Sequence, residues 1–219
     1  MPTSSHLILD YTLSSQTYIN SASSLKPIFV WLGMKKLSAY VLQNEVASVD
    51  FSDIIIHSDN ELTNKFVSSV ISLEELTEEL NSLLGERHPR LEVPETWGRF
   101  KVNAGMIFLF YSALVNAGTD ESNKVLALMK SVTSHQRFGV SNEYAMKAGW
   151  DLVDASRLVL LVVKIDGNHV KVLTASSDYL SSQEIARWNE LEILGSEVLV
   201  PFHTKFFNQE LKTFHSLSK

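Results

Sequence analysis

Apolar positions recur at helical spacing along the first half of the chain and as longer apolar runs toward the end, and that change sets the expected layout. "IFVWLGMKKLSAYVLQ", opened by Pro27, predicts a helix with the proline in its first turn. The preceding "SSQTYINSASSLK" reads as a loop or a polar helix, and 7–13, "LILDYTL", has a mixed pattern. "FSDIIIH" at 51–57 predicts a strand or the end of the preceding element. "NELTNKFVSSVI" predicts a short helix and "SLEELTEELNSLLG" another, with Ser72 and Glu75 as a capping box and Gly85 as the stop. Pro89 and Pro94 punctuate a loop or broken strand. An apolar helix is expected from Met106 to Ala117, ended by Gly118, and Thr119 caps the next, to about Met129. "SVTSHQRFGV" reads as strand or loop, and Ser141, with Glu143 behind it, opens "NEYAMKAGWDLVDA" as a helix. "RLVLLVVKI", the turn "DGN" and "HVKVLTAS" predict a hairpin with Asp166-Gly167 at its tip. A short helix around "SQEIARWNELE" leads to "SEVLVPFHTKFF", where Glu197 stands before a strand stopped by Pro201. Helices first and strands mostly later predict an α+β fold. One domain over 1–219 is expected, mainly helical over 1–90 and mixed over 91–219.

Composition narrows the chemistry. The net charge of -6 and the absence of a Lys/Arg run longer than Lys35-Lys36 argue against constitutive binding of nucleic acid or anionic membrane. With no cysteine in the chain, disulfides, thiolate catalysis and zinc-cysteine sites are excluded. The seven histidines form no i,i+4 pair and no HExxH motif, so no metal is expected. No G-x-S-x-G elbow, P-loop or G-x-G-x-x-G is present, which removes the common nucleotide and hydrolase signatures from consideration. The N-terminus shows no basic segment followed by a long apolar one, and the runs from Met106 and Leu158 are too short to span a bilayer. A soluble protein is expected, cytoplasmic or delivered into a host cell.

The stretch "SEVLVPFHTKFF" resembles the end of the catalytic domain of mono-ADP-ribosyltransferases, a family of bacterial exotoxins, phage-encoded transferases and vertebrate ecto-enzymes. Glu197, Val198-Leu199-Val200, Pro201, Thr204 and Phe206 follow that family's order of acid, apolar triplet, proline and Thr-x-Phe step. Tyr11-Thr12, Tyr18, Ile19-Asn20 and Leu25-Lys26 resemble its opening helix, and the hairpin stands where the family has a central strand. The resemblance implies a split β-sandwich core with an N-terminal helical lobe. It also implies NAD as substrate, transferred as ADP-ribose to a macromolecular acceptor, a protein first. Glu197 would then stabilise the oxocarbenium-like sugar.

Carried over residue by residue, the resemblance implies Arg99, with Arg90 behind it, for the pyrophosphate. Trp97-Gly98-Arg99 departs from the family's aromatic-Arg-Gly order. Ser131 and Thr133, or alternatively Ser141, would brace the NAD pocket; Ser141 also reads as a plain N-cap. Trp188 and Glu192, with Glu190, would contact the acceptor; Trp188 also reads as a core residue. Gly195 stands where arginine-modifying members place a Glu and Asn- or Gln-modifying members a Gln. The same residues therefore leave open NAD hydrolysis alone, an inactive adaptor or inhibitor of this fold, and an unrelated interaction protein.

Overall fold

The computed structural model describes residues 17–41, 50–153 and 156–216. The segment 7–13, with Tyr11 and Thr12, lies outside the described residues. The first described strand, β1 (Ile19–Asn20), pairs antiparallel with β2 (Lys101–Val102). A 3-10 turn over Ala22–Leu25 then runs directly into helix α1 (Lys26–Val41). Pro27 is the second residue of α1, where a missing N–H costs no helical hydrogen bond. Three helices follow, α2 (Ser52–Ile56), α3 (Asn60–Ser69) and α4 (Leu73–Leu84). The Ser72–Glu75 capping box forms in both directions, and Gly85 closes α4 at φ 68°.

Helix α5 (Ala104–Ala117) is the apolar helix read from the sequence, capped by Asn103 and ended by Gly118 in the left-handed region. Its residues Met106, Ile107, Phe110, Tyr111 and Leu114 are buried, and it packs on α4 and on the sheet. Thr119 caps α6 (Asp120–Lys130). The main sheet has the order β3-β4-β5, all antiparallel, from β3 (Ala145–Val153), β4 (Arg157–Asp166) and β5 (His169–Ser176). β4 is buried from Leu158 to Ile165, which explains its apolar run from Leu158 to Val163. The hairpin register pairs Asp166 with His169, so Gly167-Asn168 form the two-residue turn. Helices α7 (Ser182–Leu194), α8 (Ser196–Phe206) and α9 (Asn208–Ser216) complete the described chain.

Three elements differ from expectation. Residues 52–56 are helical, with His57 N donating to Asp53 O, so Ile54 and Ile55 enter the core from a helix. The segment around Lys147 and Gly149 is a strand: nine residues of β3 pair one for one with β4, and this long-range ladder overrides the local helical signal. The segment after Glu197 is helix α8, with Pro201 inside it. Its buried positions, Leu199, Val200 and His203, together with Phe207 just after it, recur at helical spacing, and the core they enter outweighs the hydrogen bond that proline cannot make. The architecture is mixed α+β, and a split β-sandwich is not what its strands form.

Candidate active site

The site forms where three short segments meet at the open edge of β3. The 3-10 turn before α1 carries Ser23, and Lys26 follows three residues later, one helical turn away on the same face. The turn between α2 and α3 carries Ser58 and Asp59, and Asn60 opens α3. β3 contributes Lys147, Gly149, Trp150 and Asp151. These converge on a cleft of about 340 Å³ lined by Ser23, Ser58, Asn60, Trp97, Asp151 and Glu192, among others.

Two backbone positions there are held in the left-handed region without being glycine, Ala22 at φ 45° and Ser58 at φ 58°. Such positions persist only when the surroundings over-determine them. Here Ser21 N donates to Phe100 O at 2.9 Å and Ser24 N to Ser21 O at 3.1 Å. On the other side, Asp59 accepts from Leu62 N at 2.7 Å as the cap of α3. The Tyr111 hydroxyl of α5 donates to Ser24 O, which anchors the serine turn to the core helix.

Lys26 is completely buried, and its Nζ donates to Ser58 O at 2.6 Å and Asn60 Oδ1 at 2.7 Å, with Ser58 Oγ at 3.3 Å. The Trp97 ring covers it, with the ring centroid 4.6 Å from Nζ. Lys147 is also buried, and its Nζ reaches Ser58 Oγ at 2.8 Å and Ala148 O at 3.3 Å. The two amines are thus joined through one serine. Burial, and then the charge of Lys147, pull the Lys26 amine down to about 6, against a smaller opposing effect of Asp59. Burial alone brings Lys147 to about 7. Near neutral pH Lys26 is therefore largely an uncharged amine, able to accept a proton.

Gly149 is required by contact. A Cβ there would lie 2.6 Å from Ser24 N, 2.9 Å from Ser21 O and 3.0 Å from Ser23 N, all backbone atoms. The strand edge and the serine turn therefore touch main chain to main chain. Leu158 O accepts from Ser177 N at 2.9 Å, so Leu158, and by alternation Leu160, face β5. Trp150 is paired with Leu160, so it directs its N–H away from β4, to the open edge of β3. Trp150 and Ser23 both line the cleft, and the Trp150 N–H is a backbone donor at its mouth, of the kind that can hold an oxyanion.

The residues singled out from sequence distribute unevenly. Arg99 and Glu192 line the cleft. Arg99 Nη1 pairs with Asp151 Oδ2 at 2.9 Å, and Asn20 Nδ2 donates to the same oxygen at 2.7 Å. Burial, then the Asp151 charge, raise the Glu192 carboxyl above its ordinary value. Glu197 does not line this cleft; it sits in the first turn of α8 with an 81% exposed side chain, 3.9 Å from His135. Its place at a strand mouth is corrected to a helix N-terminus, where an acid suits the helix dipole. Trp188 is buried and donates to His203 Nε2 at 3.3 Å. Ser131 closes α6, Thr133 Oγ1 donates to Ile56 O at 3.4 Å, and Ser141 Oγ accepts from Glu143 N at 3.4 Å. None of these three lines the cleft. Ser141 precedes a strand and caps no helix, and Arg90 lines a separate surface pocket. Glu190 pairs with Arg187 on α7 at 2.9 Å. Among the described residues no cluster of three or more His, Asp or Glu is placed to hold a metal ion, and no helix is long and apolar enough to cross a membrane.

No family model matches the chain, and no curated protein matches it in sequence. Solved structures do. The chain is similar to the last common ancestor of Gram-negative bacteria class A beta-lactamase, at a TM-score of 0.55 and 12% identity over 88% of this chain and 87% of that one. An ancestral class A beta-lactamase matches at 0.54 and 11% over 85% of each chain. A beta lactamase from Xanthomonas campestris pv. campestris matches at 0.54 and 12%, over 85% of this chain and 83% of that one. At such identity the likeness is one of fold. It overturns the resemblance to ADP-ribosyltransferases, and with it the transfer of ADP-ribose, the inactive adaptor of that fold, and the toxin and phage associations. The ground for expecting NAD goes with them.

The signal missed in the sequence is a set of three short motifs in chain order: Ser-x-x-Lys, Ser-Asp-Asn and Lys-Thr-Gly, which serine enzymes of this fold carry. Here they read Ser23-Ser24-Leu25-Lys26, Ser58-Asp59-Asn60 and Lys147-Ala148-Gly149, with alanine in the middle of the third.

Proposed function

We propose that the protein is a serine hydrolase that acts through an acyl-enzyme on Ser23, with strained or activated amides and esters, β-lactams first, as its substrate class. The observation that carries this reading is the hydrogen-bonded chain Lys26–Ser58–Lys147, with both lysines buried and Ser23 lining the same cleft. The uncharged Lys26 amine takes the proton of the Ser23 hydroxyl as Oγ attacks the carbonyl carbon. The Ser23 and Trp150 N–H groups stabilise the oxyanion of the tetrahedral intermediate. Ser58, held between both amines, passes a proton to the leaving nitrogen or oxygen, and Lys147 supports that hydroxyl electrostatically. Water then cleaves the ester and restores Ser23. The fold shared with class A beta-lactamases supports the lactam assignment.

The test is covalent labelling with a fluorescent penicillin and with p-nitrophenyl acetate, read by intact mass. The wild type should gain one acyl mass from at least one probe, and Ser23→Ala should gain none. Equal labelling of Ser23→Ala, or none of the wild type by either probe, would refute the assignment.

A further inference from the structure

The environment of Lys26 is lopsided. On one side Ser58 O, Ser58 Oγ and Asn60 Oδ1 surround its Nζ. On another the Trp97 indole lies over it, 4.6 Å from Nζ to the ring centroid. That ring is fixed, because Trp97 Nε1 donates to Asn64 Oδ1 of α3 at 2.7 Å and the residue sits in the 3-10 turn Trp97–Arg99. An indole offers no acceptor for a water proton, and its bulk excludes water from the space it fills.

Hydrolysis of an acyl ester on Ser23 needs a water within reach of the carbonyl carbon and a base to take its proton. The cleft-lining carboxylates among the described residues are Asp151 and Glu192. Asp151 already accepts from Asn20, Arg99 and the Leu152 N–H. Glu192 comes from the end of α7, where burial and then the Asp151 charge raise its carboxyl above its ordinary value. The side chain over Lys26 is the Trp97 indole, which is neither an acid nor a base toward water.

We propose that Trp97 is a brake on deacylation: its ring keeps hydrolytic water away from the Lys26 side of the acyl ester, so the acyl group leaves Ser23 slowly. This rests on the assignment of Ser23 as the acylated residue. The balance of the slowed step is simple. The water oxygen bonds to the acyl carbon, the bond from that carbon to Ser23 Oγ breaks, one water proton returns to Oγ, and a carboxylic acid departs. Trp97 acts through the space beside Lys26 and touches no reacting bond, so it is a positioning residue. It makes the protein better at capturing acyl groups than at turning them over.

The experiment follows acylation and deacylation separately, by intact mass after mixing with benzylpenicillin or p-nitrophenyl acetate and then removing free probe. The wild-type adduct should persist. Trp97→Ala should deacylate about tenfold faster or more, the lower end of what positioned acid-base assistance supplies, while its acylation rate changes less. Trp97→Phe keeps an aromatic cover without the Asn64 bond and should keep the slow rate. Equal deacylation rates in wild type and Trp97→Ala would overturn the brake while leaving Ser23 acylation standing. No adduct on the wild type from either probe would overturn both.

Discussion

The stretch that stands out in the sequence and the residues that stand out in the fold are different regions of the chain. "SEVLVPFHTKFF" gathers an acid, an apolar triplet, a proline and two polar residues into one contiguous stretch. It folds as helix α8, with Leu199, Val200 and His203 buried and Glu197 left in solvent. Lys26, Ser58, Asn60 and Lys147 are scattered over more than half the chain, and they meet in one hydrogen-bonded network at a cleft that Ser23 also lines. A contiguous pattern can be satisfied by local packing alone. Buried lysines without a carboxylate within hydrogen-bonding distance have no such inexpensive explanation.

The largest effects should separate these regions directly. Ser23→Ala should abolish acylation by penicillin or p-nitrophenyl acetate, and Glu197→Gln should leave it unchanged; a loss in Glu197→Gln as deep as in Ser23→Ala would erase the contrast. Next, Lys26→Ala should lower the acylation rate by about 10²- to 10⁴-fold, the range for a lost general base. In the wild type the rate should rise with pH through about 6, as the Lys26 amine loses its proton, and level off above it. A rate that climbs only near the usual lysine range would assign the proton transfer to another group.

Gly149→Ala tests the main-chain contact between β3 and the serine turn. Its Cβ would meet Ser24 N at 2.6 Å, so the turn must shift. A loss of about 1–3 kcal/mol in urea unfolding, with acylation falling alongside, is expected for such overpacking. Unchanged kinetics would show that the edge is looser than the geometry implies.

An effect on stability of similar size belongs to the C-terminal region. His203 is fully buried between Trp150 and Phe207, and burial lowers it from 6.5 to about 3. Between those values the unfolded chain binds a proton that the folded chain does not, so stability is complete above pH 6.5 and declines as pH falls toward 3. Each unit crossed costs about 1.4 kcal/mol. Urea midpoints at pH 7 and pH 5 should differ more in the wild type than in His203→Phe; the same difference in both would place the acid sensitivity elsewhere.

Much of the helical scaffold was legible because its signals are local. The Ser72–Glu75 box, Gly85, Thr119 and the apolar stretch before Gly118 each fix a boundary through nearby atoms. The hairpin was legible for the same reason, its turn differing by one residue. β3 was not, because Lys147 and Gly149 weaken any strand signal; they are there for the cleft, one to reach Ser58 and the other to admit the serine turn. α8 was misread because Pro201 punctuates an apolar run that tertiary packing keeps helical. The Lys26–Ser58–Lys147 network needed distances between α1, the turn before α3, and β3. Its three motifs are each too short to stand alone, and their order is the only part that the sequence displays.

The most direct measurement is proteolytic peptide mapping of the acylated protein. The acyl mass should lie on the peptide containing Ser23 and disappear from it when Lys26 is replaced by Ala. An acyl mass on Ser58, on any other residue, or nowhere would contradict the assignment of Ser23 as the nucleophile.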